Sequence, residues 1–195
     1  MEKVVLASNN QNKLQELQSI LTAEHLELIP QSAFAIGEAE ETGLTFVENA
    51  ILKARYAARH TGLPAIADDS GLEIDALKGE PGIYSARYAQ SKNDQANLDK
   101  VLTQMQNVPE VERGARFQCV IVCLRHERDP TPIIGQGTWD GKILSASQGQ
   151  GGFGYDPIFV PNGYDITFGE MDPSKKQDMS HRADAFRKLV KGCFE

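Results

Sequence analysis

The 195-residue chain has only three cysteines and one tryptophan, no apolar run of membrane-spanning length, and fewer basic than acidic residues. Each shortage excludes a class of protein. Three cysteines cannot staple a small secreted scaffold, and Cys119 and Cys123, four apart in an apolar run, do not have a zinc-binding spacing. On a strand those two share one face, and as small buried hydrophobes they need no further role; with Cys193 the odd count suits a reducing compartment. With 20 Lys and Arg against 27 Asp and Glu, the formal net charge is −7, which argues against wrapping a nucleic-acid polymer. A small anion held by a local cluster remains compatible with that charge. Met1 to Ala7 is too brief for a secretory core and has no small-residue cleavage site, so the cytoplasm is the expected compartment and no membrane partner is expected.

At this length the chain can bury most of its apolar surface as one large domain or two small lobes. Its most chemical stretch is Ala65 to Gly71, Ala-Ile-Ala-Asp-Asp-Ser-Gly. Small and apolar residues lead into Asp68 and Asp69, which reads as a short buried strand ending in an acidic turn. The apolar run Leu72 to Leu77 follows, so the carboxylates are expected to bulge from a sheet between two strands. Neighbouring acids are costly to bring together unless a cation or a shared proton relieves their repulsion, and a hard metal is the favoured relief.

The other elements are read from periodicity and caps. Lys3 to Ala7 and Leu26 to Ile29 read as strands and Lys13 to Leu21 as a helix. The polar run Ser8-Asn9-Asn10-Gln11-Asn12 between the first strand and that helix is either an anion site of free backbone amides or a plain capped turn. It is not a P-loop, because that motif's glycines and Lys-Ser/Thr pair are absent. An acidic loop, Gly37 to Gly43, carries Glu38, Glu40 and Glu41. Thr45 and Glu48 form a capping box for a helix with Val47, Ala50, Ile51, Ala54, Ala57 and Ala58 inward, ending near Gly62 and Pro64. Lys53 sits off that stripe, on the side of Asn49 and Phe46, where a solvated lysine would also be at home.

Further on, Lys78 to Gly82 reads as a turn and Asp94 to Met105 as a helix with Leu98, Val101, Leu102 and Met105 inward. Phe117 to Leu124 reads as a central strand. Asp140-Gly141, between Ile133 to Trp139 and Lys142 to Leu144, is a hairpin signal. The run from Gly149 to Pro157 interleaves glycines with Phe153 and Tyr155; it is either a stacking platform for a base or a tight surface turn. Asp172-Pro173 opens a short helix holding Lys175 and Lys176. Ser180 caps the last helix, with Ala183, Phe186, Leu189 and Val190 inward. His181 and Arg182 in its first turn oppose the helix dipole, either because they meet a ligand or because they are solvated.

Taken in order, Ser8-Asn9-Asn10 with Lys13, Glu41-Thr42-Gly43 with Phe46, Glu48-Asn49-Ala50 with Lys53-Ala54, Asp68-Asp69-Ser70-Gly71-Leu72, Pro81-Gly82 with Ser85-Ala86-Arg87, Gly152-Phe153-Gly154-Tyr155-Asp156-Pro157 and Ser180-His181-Arg182 span nearly the whole chain. This order resembles the inosine triphosphate pyrophosphatase family, and within it the bacterial dITP/XTP pyrophosphatases. The resemblance implies an α/β fold: a long curved mixed β-sheet flanked by helices, forming a single two-lobed domain over residues 1–195. The active site would lie in the groove between the lobes, and the protein would form a homodimer.

It also implies Mg²⁺-dependent hydrolysis of purine nucleoside triphosphates between the α and β phosphates. In that pattern Asp69 is the general base and, with Glu41, the magnesium neighbour, while Glu40 is the alternative to Glu41. Ser8, Asn9, Asn10, Gln11, Asn12 and Lys13, with Lys53 and Lys176, correspond to the phosphate-binding set. Counting five residues back from His181 selects Lys176 over Lys175. Ser70 takes a substrate-contact position, and Phe153, Gly154, Tyr155 and Asp156 with His181 and Arg182 correspond to the base and sugar pocket. Asn9 stands where many relatives carry glycine; asparagine is the side chain that best tolerates left-handed backbone, so the loop is expected to keep its shape. A non-hydrolytic nucleotide sensor and a phosphatase releasing orthophosphate are the competing readings.

Overall fold

The computed structural model describes residues 2–9 and 26–194. The helix expected over Lys13–Leu21 and the loop positions Asn10, Gln11, Asn12 and Lys13 lie outside the described residues. Among the described residues, strands β1 (Glu2–Leu6), β2 (Leu26–Pro30), β3 (Ala65–Ile74), β4 (Gly114–Leu124), β5 (Ile133–Ile143) and β6 (Phe159–Pro161) form a sheet in the order β2-β1-β3-β4-β5-β6. β1 runs parallel to both β2 and β3, and β5 antiparallel to β6, so the sheet is mixed, as the resemblance implies. Helices α1 (Phe46–Thr61), α2 (Asp94–Met105), α3 (Pro173–Met179) and α4 (His181–Phe194) accompany it. None of the described helices is long and apolar enough to cross a membrane. The chain divides into two compact units, one of Met1–Asp69, Cys119–Gly137 and Arg182–Glu195, the other of Ser70–Gln118 and Thr138–His181.

In the first unit alternate residues of each strand enter different cores. Val4 and Leu6 of β1, Ile66 of β3 and Cys119, Ile121 and Cys123 of β4 pack with Ala185, Phe186 and Leu189 of α4. Val5, Ala7, Ala65, Ala67, Val120, Val122 and Leu124 pack with the alanines of α1. Helices on both faces explain why β4 reads as an unbroken apolar run: no face is left to water. Cys119 and Cys123 are buried within one cluster, as their spacing predicts. α1 starts and stops where its end signals say: the Thr45 side chain accepts from the Glu48 amide, and Gly62 takes the left-handed C-cap conformation at φ 69°.

The second unit has its own core, in which Leu72 and Ile74 of β3 and Leu98, Val101 and Met105 of α2 pack with Phe117, Phe159 and Phe168. Arg113, 5% exposed, is spent there entirely on carbonyls. Its guanidinium donates to Met105, Val108, Ile143 and Leu144 at 2.7–3.0 Å, tying the end of α2 to the end of β5.

Two expectations are overturned. Asp140-Gly141 is not a hairpin turn but part of the continuous strand β5, where Gly141 pairs with Pro161. Glycine is needed because an added Cβ would run into the Val160 carbonyl oxygen and lie 2.6 Å from the Phe159 ring. The reversal between β4 and β5 lies instead at residues 125–132. There the buried Asp129 carboxylate accepts from the Arg125 amide and guanidinium and from the Thr131 amide. Likewise Asp68 and Asp69 do not form a turn between strands: Ala65–Ile74 is one strand. Successive side chains of a strand point to opposite faces, so these two neighbours are held apart without a turn.

Candidate active site

In the first unit three segments converge on one ammonium group. The β3 strand presents Asp69, α1 presents Lys53, and the acidic loop before α1 presents Glu41. Lys53 Nζ lies 2.9 Å from Glu41 Oε1 and 3.2 Å from Asp69 Oδ1. It is Glu41, not Glu40, that reaches the lysine. Burial alone would lower the Lys53 pKa, but the carboxylates of Asp69, Asp68 and Glu41 outweigh it and hold the ammonium group above the usual lysine value. Lys53 therefore remains a fixed positive charge among carboxylates.

Asn49, four residues before Lys53 and so on the same helix face, completes the cluster. Its Oδ1 accepts from the Gly43 amide at 2.9 Å and its Nδ2 donates to Asp69 Oδ2 at 3.3 Å. Asn49 is absent from the site residues expected from the sequence. The available signal was its place beside Lys53 on the polar edge of the alanine stripe. Asn9 of the opening loop meets the same acidic loop, donating to Glu38 Oε1 at 3.3 Å. Ser8 is half-buried, and Arg182 is buried at the first turn of α4.

Among the described residues no three His, Cys, Asp or Glu side chains form a metal-ligating group. Two carboxylates gathered by one cation nonetheless suit Mg²⁺, which takes one or two carboxylates and completes its shell with water and substrate phosphate. Glu41 and Asp69 are thus the residues able to hold it.

In the second unit the glycine-rich segment is pinned at each turn. The Asp156 carboxylate accepts from the Phe153 amide at 2.7 Å and from Lys176 Nζ at 2.5 Å. Asp94, in the first turn of α2, accepts from the Gly154 amide at 3.0 Å. Lys176 is buried, with its Nζ 5.1 Å from the centre of the Phe153 ring. Tyr155 is a core residue whose hydroxyl donates to the Ser85 carbonyl at 2.8 Å, and burial pushes its pKa up. Of the two aromatics in this segment, Phe153 is half-buried and Tyr155 fully buried. His181 is buried and stacks on Phe117, with ring centroids 5.0 Å apart and planes 12° from parallel. Ser70, half-buried on β3, precedes Leu72, whose amide is satisfied by Ser85 Oγ at 2.9 Å.

Chemically, the first unit offers a carboxylate oriented by neutral and charged donors, a second carboxylate, and a retained positive charge. The second offers a half-buried aromatic ring beside a buried lysine. Comparison with known proteins adds to this. The Ham1 family model matches residues 4–192. A dITP/XTP pyrophosphatase of Vibrio parahaemolyticus is 55% identical over 190 residues, 97% of this chain and 95% of that protein. The solved structure of a HAM1 protein from Coxiella burnetii superposes with a TM-score of 0.92 at 46% identity, covering 98% of each chain. A crystal structure of a nucleoside-triphosphatase / dITP/XTP pyrophosphatase from Mycobacterium abscessus is similar at a TM-score of 0.80 and 39% identity, covering 96% of this chain and 98% of that one.

Proposed function

The chain belongs to the Ham1 family, and we propose that it hydrolyses the non-standard purine nucleoside triphosphates ITP, dITP and XTP to the monophosphate and pyrophosphate. Its role is then to clear deaminated purines from the nucleotide pool. The observation that carries this reading is the convergence of Glu41 and Asp69 on Lys53.

A triphosphate repels an incoming nucleophile with several negative charges, so positioning and charge neutralisation supply most of the catalysis. Bound by Glu41 and Asp69, Mg²⁺ would supply neutralisation of the polyphosphate. Asp69 accepts the proton of the attacking water as the α–β anhydride bond breaks and pyrophosphate departs. The ammonium group of Lys53 steadies the polyphosphate, and Ser8 to Lys13 bind it with their amides and side chains. Lys176 joins Lys53 in meeting phosphate, Phe153, Gly154, Tyr155 and Asp156 form the base and sugar pocket, and Ser70 contacts substrate. His181 and Arg182 donate to a 6-oxo group; adenine presents a donor there, and a donor left facing a donor is rejected strongly. The same reading has the protein acting as a homodimer in the cytoplasm, one two-lobed domain per chain.

Incubating the protein with Mg²⁺ and ITP tests this. Pyrophosphate is the expected first product, and Asp69→Asn should abolish its release. Orthophosphate as first product would make the protein a phosphatase, and tight ITP binding without turnover a nucleotide sensor. Full activity in Asp69→Asn would remove the proposed base.

A further inference from the structure

We propose that Asn49 is a positioning residue whose side-chain amide sets the spacing between Asp69 and the segment carrying Glu41. The inference rests on the role given above to those two carboxylates. Asn49 is fully buried, so water cannot take over either of its hydrogen bonds. One end of the amide accepts the backbone N–H of Gly43, two residues after Glu41, at 2.9 Å. A backbone N–H can only donate, so that end must be Oδ1, and the other end must present its NH₂ to Asp69 Oδ2, 3.3 Å away. The amide therefore has one productive orientation, and it couples the loop to the strand through a single rigid plane.

The loop is shaped to receive it. A Cβ on Gly43 would lie 2.6 Å from Glu48 Cβ and 2.8 Å from Asn49 Oδ1, so only glycine lets the backbone come this close. Just beyond, the Leu44 amide and the Thr45 hydroxyl donate to Glu48 Oε2 at 2.9 and 2.8 Å, holding the same segment against the first turn of α1. Lys53, one turn further on, brings the charge that draws Glu41 and Asp69 together. Charge alone has no preferred direction, whereas the amide does. Asn49 thus fixes the distance at which Lys53 and, when bound, Mg²⁺ find the two carboxylates.

Two variants disturb this joint from opposite sides: Asn49→Leu removes the amide while keeping the branching of the side chain, and Gly43→Ala pushes the loop off it while leaving Asn49 in place. Each is expected to lower kcat for pyrophosphate release from ITP by about 10–100-fold, the usual effect of losing a group that orients a ligand. KM for ITP should stay within about threefold of wild type, because the amide does not touch the nucleotide. Without nucleotide, each variant should need roughly tenfold more Mg²⁺ than wild type to reach half of its Mg²⁺-induced rise in Tm. A purely structural amide would lower Tm and leave kcat and the Mg²⁺ response unchanged in folded Gly43→Ala; that result overturns the proposal. A loss confined to KM, or a wild-type Tm indifferent to Mg²⁺, overturns it too. If the wild type releases no pyrophosphate, the proposed function fails separately, and the Mg²⁺ response of the folded variants still decides the positioning claim.

Discussion

Replacing Lys53 by methionine keeps the apolar stem and removes the ammonium group, leaving Glu41 and Asp69 to face one another without a cation. The contacts at 2.9 and 3.2 Å are each worth roughly 5 kcal/mol of Coulomb attraction at an effective dielectric of about 20, before desolvation is charged against them. Removing one partner of a buried ion pair costs about 3–5 kcal/mol, because the remaining charge stays buried. The Glu41 side chain is 23% exposed against 8% for Asp69, so solvent relieves part of that penalty, and the expected loss is about 2–3 kcal/mol. Urea unfolding at neutral pH measures it. Mg²⁺ should restore stability to Lys53→Met by more than it adds to wild type, since another cation can meet the two carboxylates. The sign with pH follows from the raised Lys53 pKa. Its contribution is fully present below the unfolded lysine value of about 10.4 and fades as pH rises through the folded value, so the gap to the variant should narrow in alkali. Turnover should fall by about 100-fold, as when an electrostatic donor is lost. A variant with the wild-type urea midpoint, or one no more responsive to Mg²⁺ than wild type, would refute the view that Lys53 relieves carboxylate repulsion.

Gly135→Ala should destabilise the protein by more than about 2 kcal/mol, because its Cβ would collide with the Ala185 carbonyl and lie 2.8 Å from the Leu189 amide. Gly62→Ala, where nothing lies within 4 Å and only a φ of +69° opposes a side chain, should cost about 1–2 kcal/mol; thermal unfolding that ranks the pair the other way would contradict this. The Asp129 pKa is held below the usual carboxylate range chiefly by its hydrogen bond with Arg125. Its stabilisation is present above the unfolded carboxylate value of about 3.9 and is lost as pH falls through the depressed one, so Asp129→Asn should flatten the acid limb of the stability profile measured by urea unfolding. Arg182→Ala should cut discrimination between ITP and ATP more than it cuts turnover, and equal losses for both nucleotides in a substrate panel would reject its role at the base.

Elements whose cause is local were legible in the sequence. Thr45, Glu48 and Gly62 bracket α1 with their own side chains and backbone, and the unbroken apolar run of β4 reflects helices on both of its faces. The hairpin at Asp140-Gly141 failed because a two-residue signal describes what glycine permits, not what requires it; Gly141 is required by Val160 and Phe159, which no spacing nearby reveals. The acidic turn fails for a related reason: the strand pleat sends Asp68 and Asp69 to opposite faces, a separation that their adjacency in the sequence does not disclose.

The candidate site divides along the same line. The ordered motifs single out Glu41, Lys53 and Asp69, since each bears a charge that has to be answered by another. Asn49 bears none, and its importance comes from two partners, Gly43 and Asp69, on either side of it in the chain. Gly62 and Gly43 make the contrast concrete. The first is needed for its own φ, and a C-cap signal finds it; the second is needed because Asn49 Oδ1 and Glu48 Cβ occupy the space a side chain would take. A neutral amide and the glycine that admits it together carry the spacing of two carboxylates. Neither residue alone distinguishes itself from a helix surface asparagine or a loop glycine, because the constraint belongs to the pair.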